Sequence, residues 1–357
     1  MRELKKEAIE DILQGATILG AGGGGPLVIG KQIAAEIIAS GRPLRLADPD
    51  EDVADDARMA VSAVVGSPDA TLDNFDFGAA PTAFKFLEEI DGKPLSFVLA
   101  GEVGAGNSLI PMSTAAKGGI PVVDAAGARR AIPEFSMCTY ASNNVPISPI
   151  AMANSDEHLR LDTQDPTSAN NAIHGIISGG TFHQYVGVAF WTMTGKTMKQ
   201  SAMLHTTTYA EGLGAALRKA KDPVQAVVEY LGGELLFTGK ITRTNEETSG
   251  GFDLGYVVLT DKSGTEFWIY NQNENLMGWR SDQAAPVIMS PDLICYLTTD
   301  GKVFSNADLS IAKDKEVAII AAPSPSEMRA DSIVQAFLDV YKTIGYAGPY
   351  TPFEPCR

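Results

Sequence analysis

The feature that most constrains this chain is a change of rhythm near residue 165. Before it, short apolar runs alternate with segments of helical period. Leu4, Ala8, Ile12, Leu13 and Ala16 recur on one helical face, and Ile29, Ile33 and Ile37 do so again after Pro26. Pro26 suits the first turn of that second helix, and Gly41 suits its end. Strands are predicted over 44–47, 59–65, 96–100 and 120–123, with helices over 81–90 and 108–117 between them. Strands separated by helices form βαβ units with a parallel sheet. After residue 165 the pattern becomes β-rich. A buried strand is expected over 186–192, followed by helices over 208–220 and 223–230. Strands over 235–244, 253–260 and 266–271 follow, with Asp261-Lys262-Ser263-Gly264 as a hairpin turn. Further strands at 287–288, 293–297 and 317–321 precede a final helix over 326–344. The expected architecture is α/β. Residues 1–165 form a Rossmann-like layered domain with a mostly parallel sheet, and residues 166–357 form a β-rich α+β domain closed by a helix. At about 100–200 residues per domain, 357 residues fit two.

Candidate functional residues cluster where glycines meet strand ends. Gly20-Ala21-Gly22-Gly23-Gly24-Gly25 formally matches the dinucleotide fingerprint GxGxxG. That fingerprint needs a strand before it, and the preceding segment is helical in period. The run therefore reads either as a tight helix-to-helix connection or as a cradle of backbone N–H groups at a helix start. The next dense region is Gly101-Glu102-Val103-Gly104-Ala105-Gly106-Asn107, at the carboxyl end of a strand. Ligands of open parallel sheets bind at such ends. Glu102 is a candidate acid or base, Gly104 a binding position, and Asn107 a donor or a helix cap. Asp124 ends the adjacent strand, which would bring a second carboxylate beside the first. Arg130 and Glu134 follow in Arg130-Ala131-Ile132-Pro133-Glu134, the arginine suited either to an anionic substrate group or to neutralising the acids.

Cys138 is a weaker candidate nucleophile, since a lone cysteine more often behaves as a small apolar side chain. His158, His174, His183 and His205 show no metal-ligand spacing and read as structural. Gly179-Gly180-Thr181 with His183 is a candidate wall of the cleft. Gly250-Gly251-Phe252 reads as a hairpin bend. Asn271-Gln272-Asn273-Glu274-Asn275 packs four amides and an acid into five residues, so Asn273, Glu274 and Asn275 either cap a tight connection or bind a polar ligand.

A net charge of -16 and the lack of a basic run exclude a nucleic-acid binder and disfavour anionic lipid. Cys138, Cys295 and Cys356 form no CxxC pair and no disulfide framework. With no signal-like or bilayer-spanning apolar stretch, the chain is expected to be cytoplasmic, without a membrane partner. A homo-oligomer acting on a small molecule is expected. The residues do not identify a cofactor: a divalent metal stays open, and a nicotinamide is disfavoured.

Taken together, Leu19-Gly20 with Gly22 to Gly25, Glu102 through Asn107, Asp124, Arg130 through Glu134, Gly250-Gly251-Phe252, Asn273-Glu274-Asn275 and Pro291-Asp292-Leu293-Ile294 resemble one family. It is the S-methyl thiohydantoin desulfurase-like family, long described as a domain of unknown function and linked to hydantoinases. The resemblance runs in order along nearly the whole chain. It implies an α/β N-terminal part, a β-rich C-terminal part and, for some members, hydrolytic loss of methanethiol. The chain departs from the family pattern at Arg129, where a glycine is usual, and at Pro26, which takes the place of an acidic residue. Such chemistry would use Glu102 or Asp124 as base, the glycine-run N–H groups and Asn107 as donors, and Arg130 as anchor. The competing readings are an accessory subunit of a hydantoinase-type partner and a nicotinamide oxidoreductase.

Overall fold

The computed structural model describes residues 1–66, 75–180, 182, 185–249 and 252–356. Ser67-Pro68, Thr181, His183 and Gly250-Gly251 lie outside them. Among the described residues, two sheets organise the chain. The first has nine strands. Its centre is parallel: Arg45–Ala47, Val122–Ala126, Phe97–Ala100 and Arg58–Gly66 lie side by side, and a helix precedes each of them except Arg58–Gly66, which follows Arg45–Ala47 through turns. The expected βαβ rhythm of the first half builds this centre, and its strands are apolar because both faces are covered.

The sheet does not end with the first half of the sequence. The strand Tyr185–Thr194 pairs antiparallel with Arg58–Gly66 and also with Ile150–Ala153, which pairs in turn with His158–Leu161. The helix Thr206–Lys219 lies against Lys6–Leu19. Their approach is close enough that a Cβ on Gly214 would sit 1.9 Å from the Asp11 carbonyl oxygen. Arg218 closes the contact with two 2.8 Å hydrogen bonds to Asp11.

The second sheet has seven strands, all antiparallel, running in space from Ile288–Met289 through Glu274–Arg280, Glu266–Gln272, Phe252–Thr260, Glu234–Ser249 and Val317–Ala322 to Leu293–Thr298. It curls into a half-barrel over Val257, Leu259, Phe267, Ile269, Ile294 and Ile319. The two-part α/β architecture expected from the sequence is thus the one observed. The final helix is shorter than its periodicity suggests. Ser326–Arg329 is a separate 3-10 turn, Ala330 is extended (φ -58°, ψ 141°), and the helix proper is Asp331–Thr343. No helix among the described residues is long and apolar enough to cross a membrane.

Candidate functional site

The glycine run leaves the end of the helix Lys6–Leu19 directly, so no strand precedes it and the strand–loop–helix geometry of a dinucleotide fold is not there. The backbone turns through left-handed φ at Ala21 (47°), Gly22 (89°), Gly24 (77°) and Gly25 (89°). Both halves of the molecule grip it. Gly24 accepts hydrogen bonds from Gly106 N (2.8 Å) and Asn107 N (3.2 Å) on the first-sheet side. From the second-sheet side, Asn275 N donates to Ala21 O and Asn306 N to Gly22 O, each at 2.7 Å. A Cβ at Gly23 would sit 1.9 Å from Glu274 Oε1, and one at Gly24 would sit 2.5 Å from Gly104 Cα. Close packing therefore requires the glycines. The Gly24 N–H already donates to Glu274 Oε1 at 3.2 Å, so it is not a free donor.

Two carboxyl groups meet above the run. Glu102 stands just past the strand Phe97–Ala100, where its carboxyl accepts from Ile132 N (2.7 Å) and from the Asn107 amide. Glu274 opens the strand Glu274–Arg280 after a one-residue turn at Asn273 (φ 55°). That turn is pinned by Asn273 N to Asp253 O (2.8 Å), Asp253 N to Asn273 Oδ1 (2.7 Å) and Asn306 Nδ2 to Asn273 O (2.8 Å). Burial pushes the Glu102 carboxyl well above its ordinary range, and the neighbouring Glu274 charge pushes it further, against the bonds from Ile132 and Asn107. Burial also carries Glu274 up to about 7, against the pull of Arg130 and of the Gly24 N–H. Both carboxyls are thus held toward the protonated form relative to an exposed glutamate. Glu274 Oε2 has no hydrogen-bond partner among the described residues, although the residue is only 3% exposed.

Both carboxyls face a cleft that opens between the two sheets. Gly24, Gly25, Asn107 and Asn273 line it alongside them. The remaining wall is apolar and aromatic, with Phe75, Phe135, Phe190, Trp191 and Phe252. Trp191 takes a left-handed backbone (φ 51°) inside the strand Tyr185–Thr194, at a bulge where pairing skips between Phe190 and Met193. Its ring stacks on Phe190 with centroids 4.6 Å apart. His174, on the helix Pro166–Ser178, stacks on Phe252 at 4.1 Å. Burial holds His174 down to about 4, so its imidazole is neutral at neutral pH.

The other sequence candidates sit elsewhere. Asp124 lies outside this cleft. Its carboxylate accepts from Thr207 N (2.8 Å), Thr208 N (3.1 Å) and the Thr208 hydroxyl, which makes it the cap of the helix Thr206–Lys219. Arg130 is fully buried and is not among the residues that line the cleft. It donates to Ala131 O, Ser290 Oγ, Pro291 O, Asp292 O and Asn275 O at 2.7–3.2 Å, cross-linking the halves of the molecule. Glu134 lies off the cleft; burial raises its carboxyl against hydrogen bonds from Gln272 and Ser136. Cys138 Sγ donates to Phe135 O at 3.3 Å, and burial pushes the thiol up to about 12, so it stays protonated and a poor nucleophile. Asn275 holds Ile294 O (2.9 Å) and the Asn306 amide (3.1 Å). Gly22, Gly23 and Gly104 serve the packing of the loops rather than the cleft surface. Sequence reasoning missed Trp191 and Phe135 and read His174 as structural, because only the bulge and the crossing of distant elements bring them together. Among the described residues, no group of three or more His, Cys, Asp and Glu is placed to hold a metal ion.

Fold and site together define a class: a two-sheet α/β protein whose halves close, through a glycine run, over a pair of buried carboxyls in an aromatic cleft. More particularly, the chain belongs to the S-Me-THD-like family. The model of the family's N-terminal domain matches residues 7–161 and that of its C-terminal domain residues 164–339. The chain is also similar, over 99% of its length and at 30% identity, to the whole of a protein from Chromobacterium violaceum whose crystal structure was solved in structural genomics, with a TM-score of 0.87. No curated protein matches the sequence.

Proposed function

We propose that the cleft binds a small cyclic amide or thioamide and hydrolyses it, with S-methyl thiohydantoin as the particular substrate and methanethiol as the leaving group. One observation carries the reading: two buried carboxyls, Glu102 and Glu274, line one cleft and are both raised by burial, Glu102 also by the Glu274 charge. Water must add to the ring carbon that bears the methylthio group. Glu102, protonated, gives its proton to the adjacent ring nitrogen. Glu274, ionised, takes a proton from the attacking water. Collapse of the tetrahedral carbon breaks the C–S bond. The former water oxygen becomes the ring carbonyl as its remaining proton returns to Glu102, and the departing sulfur takes the proton held by Glu274. The sum is substrate plus water giving hydantoin plus methanethiol, with both carboxyls restored. The aromatic wall keeps bulk water from competing and favours a flat ring.

The test is thiol release from an S-methyl thiohydantoin, followed colorimetrically. Glu102→Gln should keep the fold and lower kcat by about 10²–10⁴-fold. Turnover equal to the unmodified protein would remove Glu102 from the chemistry. Ring binding without turnover in the unmodified protein would instead favour an accessory role beside a hydantoinase-type enzyme.

A further inference from the structure

Besides Glu274 Oε2, two other buried polar atoms on the cleft walls have no hydrogen-bond partner among the described residues: Trp191 Nε1 and His174 Nδ1. The residues are 2% and 7% exposed. A buried N–H without a partner is costly, and a ligand that supplies the partner removes that cost. Three such atoms around one cleft point to a ligand rather than to chance. Their polarities are complementary. The indole can only donate, and the Glu274 carboxylate oxygen can only accept. No lysine or arginine lies among the described residues lining the cleft, and the Arg130 guanidinium is occupied by carbonyl and hydroxyl oxygens. Nothing described there would balance an anion beside two acids.

We infer that Trp191 Nε1 and His174 Nδ1 are the specificity-determining groups of this cleft, reading a neutral, flat ligand that presents a carbonyl edge to the indole and an N–H edge to Glu274. This deepens the cyclic-amide reading and rests on it. A closed ureide ring offers both edges at once. Its ring-opened counterpart carries a carboxylate and offers a charge the cleft does not accommodate. The recognition pattern therefore favours chemistry that leaves the ring closed, at an exocyclic bond, over ring opening. The selectivity follows the general rule that buried hydrogen-bonding groups reject ligands unable to pair with them far more sharply than apolar walls do.

The experiment uses the full chain with two probes, 5-benzylhydantoin and N-carbamoylphenylalanine, the closed and opened forms of one skeleton. Binding is read by calorimetry, and the tryptophan indole N–H resonances are followed in a ¹⁵N-labelled sample. The sequence has three tryptophans, and Trp268→Phe with Trp279→Phe leaves the Trp191 resonance alone. The expected result is that the closed ring binds, moves that resonance, and binds roughly five- to tenfold more weakly to Trp191→Phe and to His174→Phe, each of which keeps an aromatic ring in the wall. The indole shift in unmodified residue 191 stands even where the Trp191→Phe chain fails to fold. Closed-ring binding that leaves the Trp191 resonance still and the variants as tight as the parent overturns the assignment while the cyclic-amide reading survives. Tighter binding of the opened carboxylate overturns the assignment as well. Silence from both probes overturns the cyclic-amide reading and the assignment together.

Discussion

Glu274 makes a testable link between the site and the stability of the whole chain. Its folded carboxyl titrates near 7, while the unfolded chain releases the same proton at the ordinary carboxyl value. Between those two values the folded state holds more protons than the unfolded state, so stability falls as pH rises through that window and levels off above it. Glu102, also raised by burial and by Glu274, adds a slope of the same sign. Glu274→Gln keeps an oxygen acceptor for the Gly24 N–H and removes one titration. Urea midpoints should show the parent losing on the order of 3 kcal/mol more than the variant from about pH 5 to about pH 8. Parallel pH profiles would mean that Glu274 is ionised throughout. The place of Glu102 and Asn107 on the cleft was legible in the sequence because a strand end among glycines is a local signal. Asp124 and Arg130 were not: what decides their roles is a helix start 84 positions on and carbonyls 145 to 162 positions on. A carboxylate or guanidinium looks the same in sequence whether it meets substrate or backbone.

At the scale of elements, the glycine run is a spacer with two neighbours rather than a phosphate cradle, and that distinction can be measured. Gly24 has φ +77°, and an added Cβ would meet Gly104 Cα at 2.5 Å; Gly41 has φ +63°, and an added Cβ would meet nothing within 4 Å. Gly41→Ala should therefore cost only the left-handed penalty, about 1–2 kcal/mol. Gly24→Ala should cost that plus about 1–3 kcal/mol of overpacking against backbone that cannot yield. Chemical denaturation of the two variants makes the comparison, and equal losses would show that the loops at Gly24 and Gly104 are not in contact. Most helices and strands were readable from period, since burial on one face or on two writes itself into spacing. The run over 150–161 was missed because its two strands are four residues each, too short for alternation to show. The helix Pro166–Ser178 hid behind its own cap. Asp165 accepts from Ser168 N at 2.8 Å and Pro166 opens the first turn, a start signal that read as a polar linker.

For the molecule as a whole, the decisive fact is that chain order and sheet order disagree. The rhythm of the sequence changes near residue 165, and the two family matches meet between residues 161 and 164. Yet Tyr185–Thr194 lies in the middle of the first sheet, pairing with Arg58–Gly66 along its length and with Ile150–Ala153 on its other side. It also brings Trp191 to the cleft, while the glycine run and Arg130 tie that sheet to the second. Removing everything after residue 165 would leave Arg58–Gly66 without its neighbour, exposing the Val61 and Ala60 surface and a long row of unpaired backbone groups. It would also strip Thr206–Lys219 from Lys6–Leu19 and leave the Asp11 and Gly15 face bare. A chain of residues 1–165 should accordingly aggregate or show a collapsed amide spectrum, whereas the full chain unfolds in urea in one cooperative transition followed alike by fluorescence and circular dichroism. A well-dispersed spectrum from the 1–165 fragment would show that the first sheet closes without the strand that carries Trp191, and the cleft would then be an interface between two independent folding units rather than a product of one.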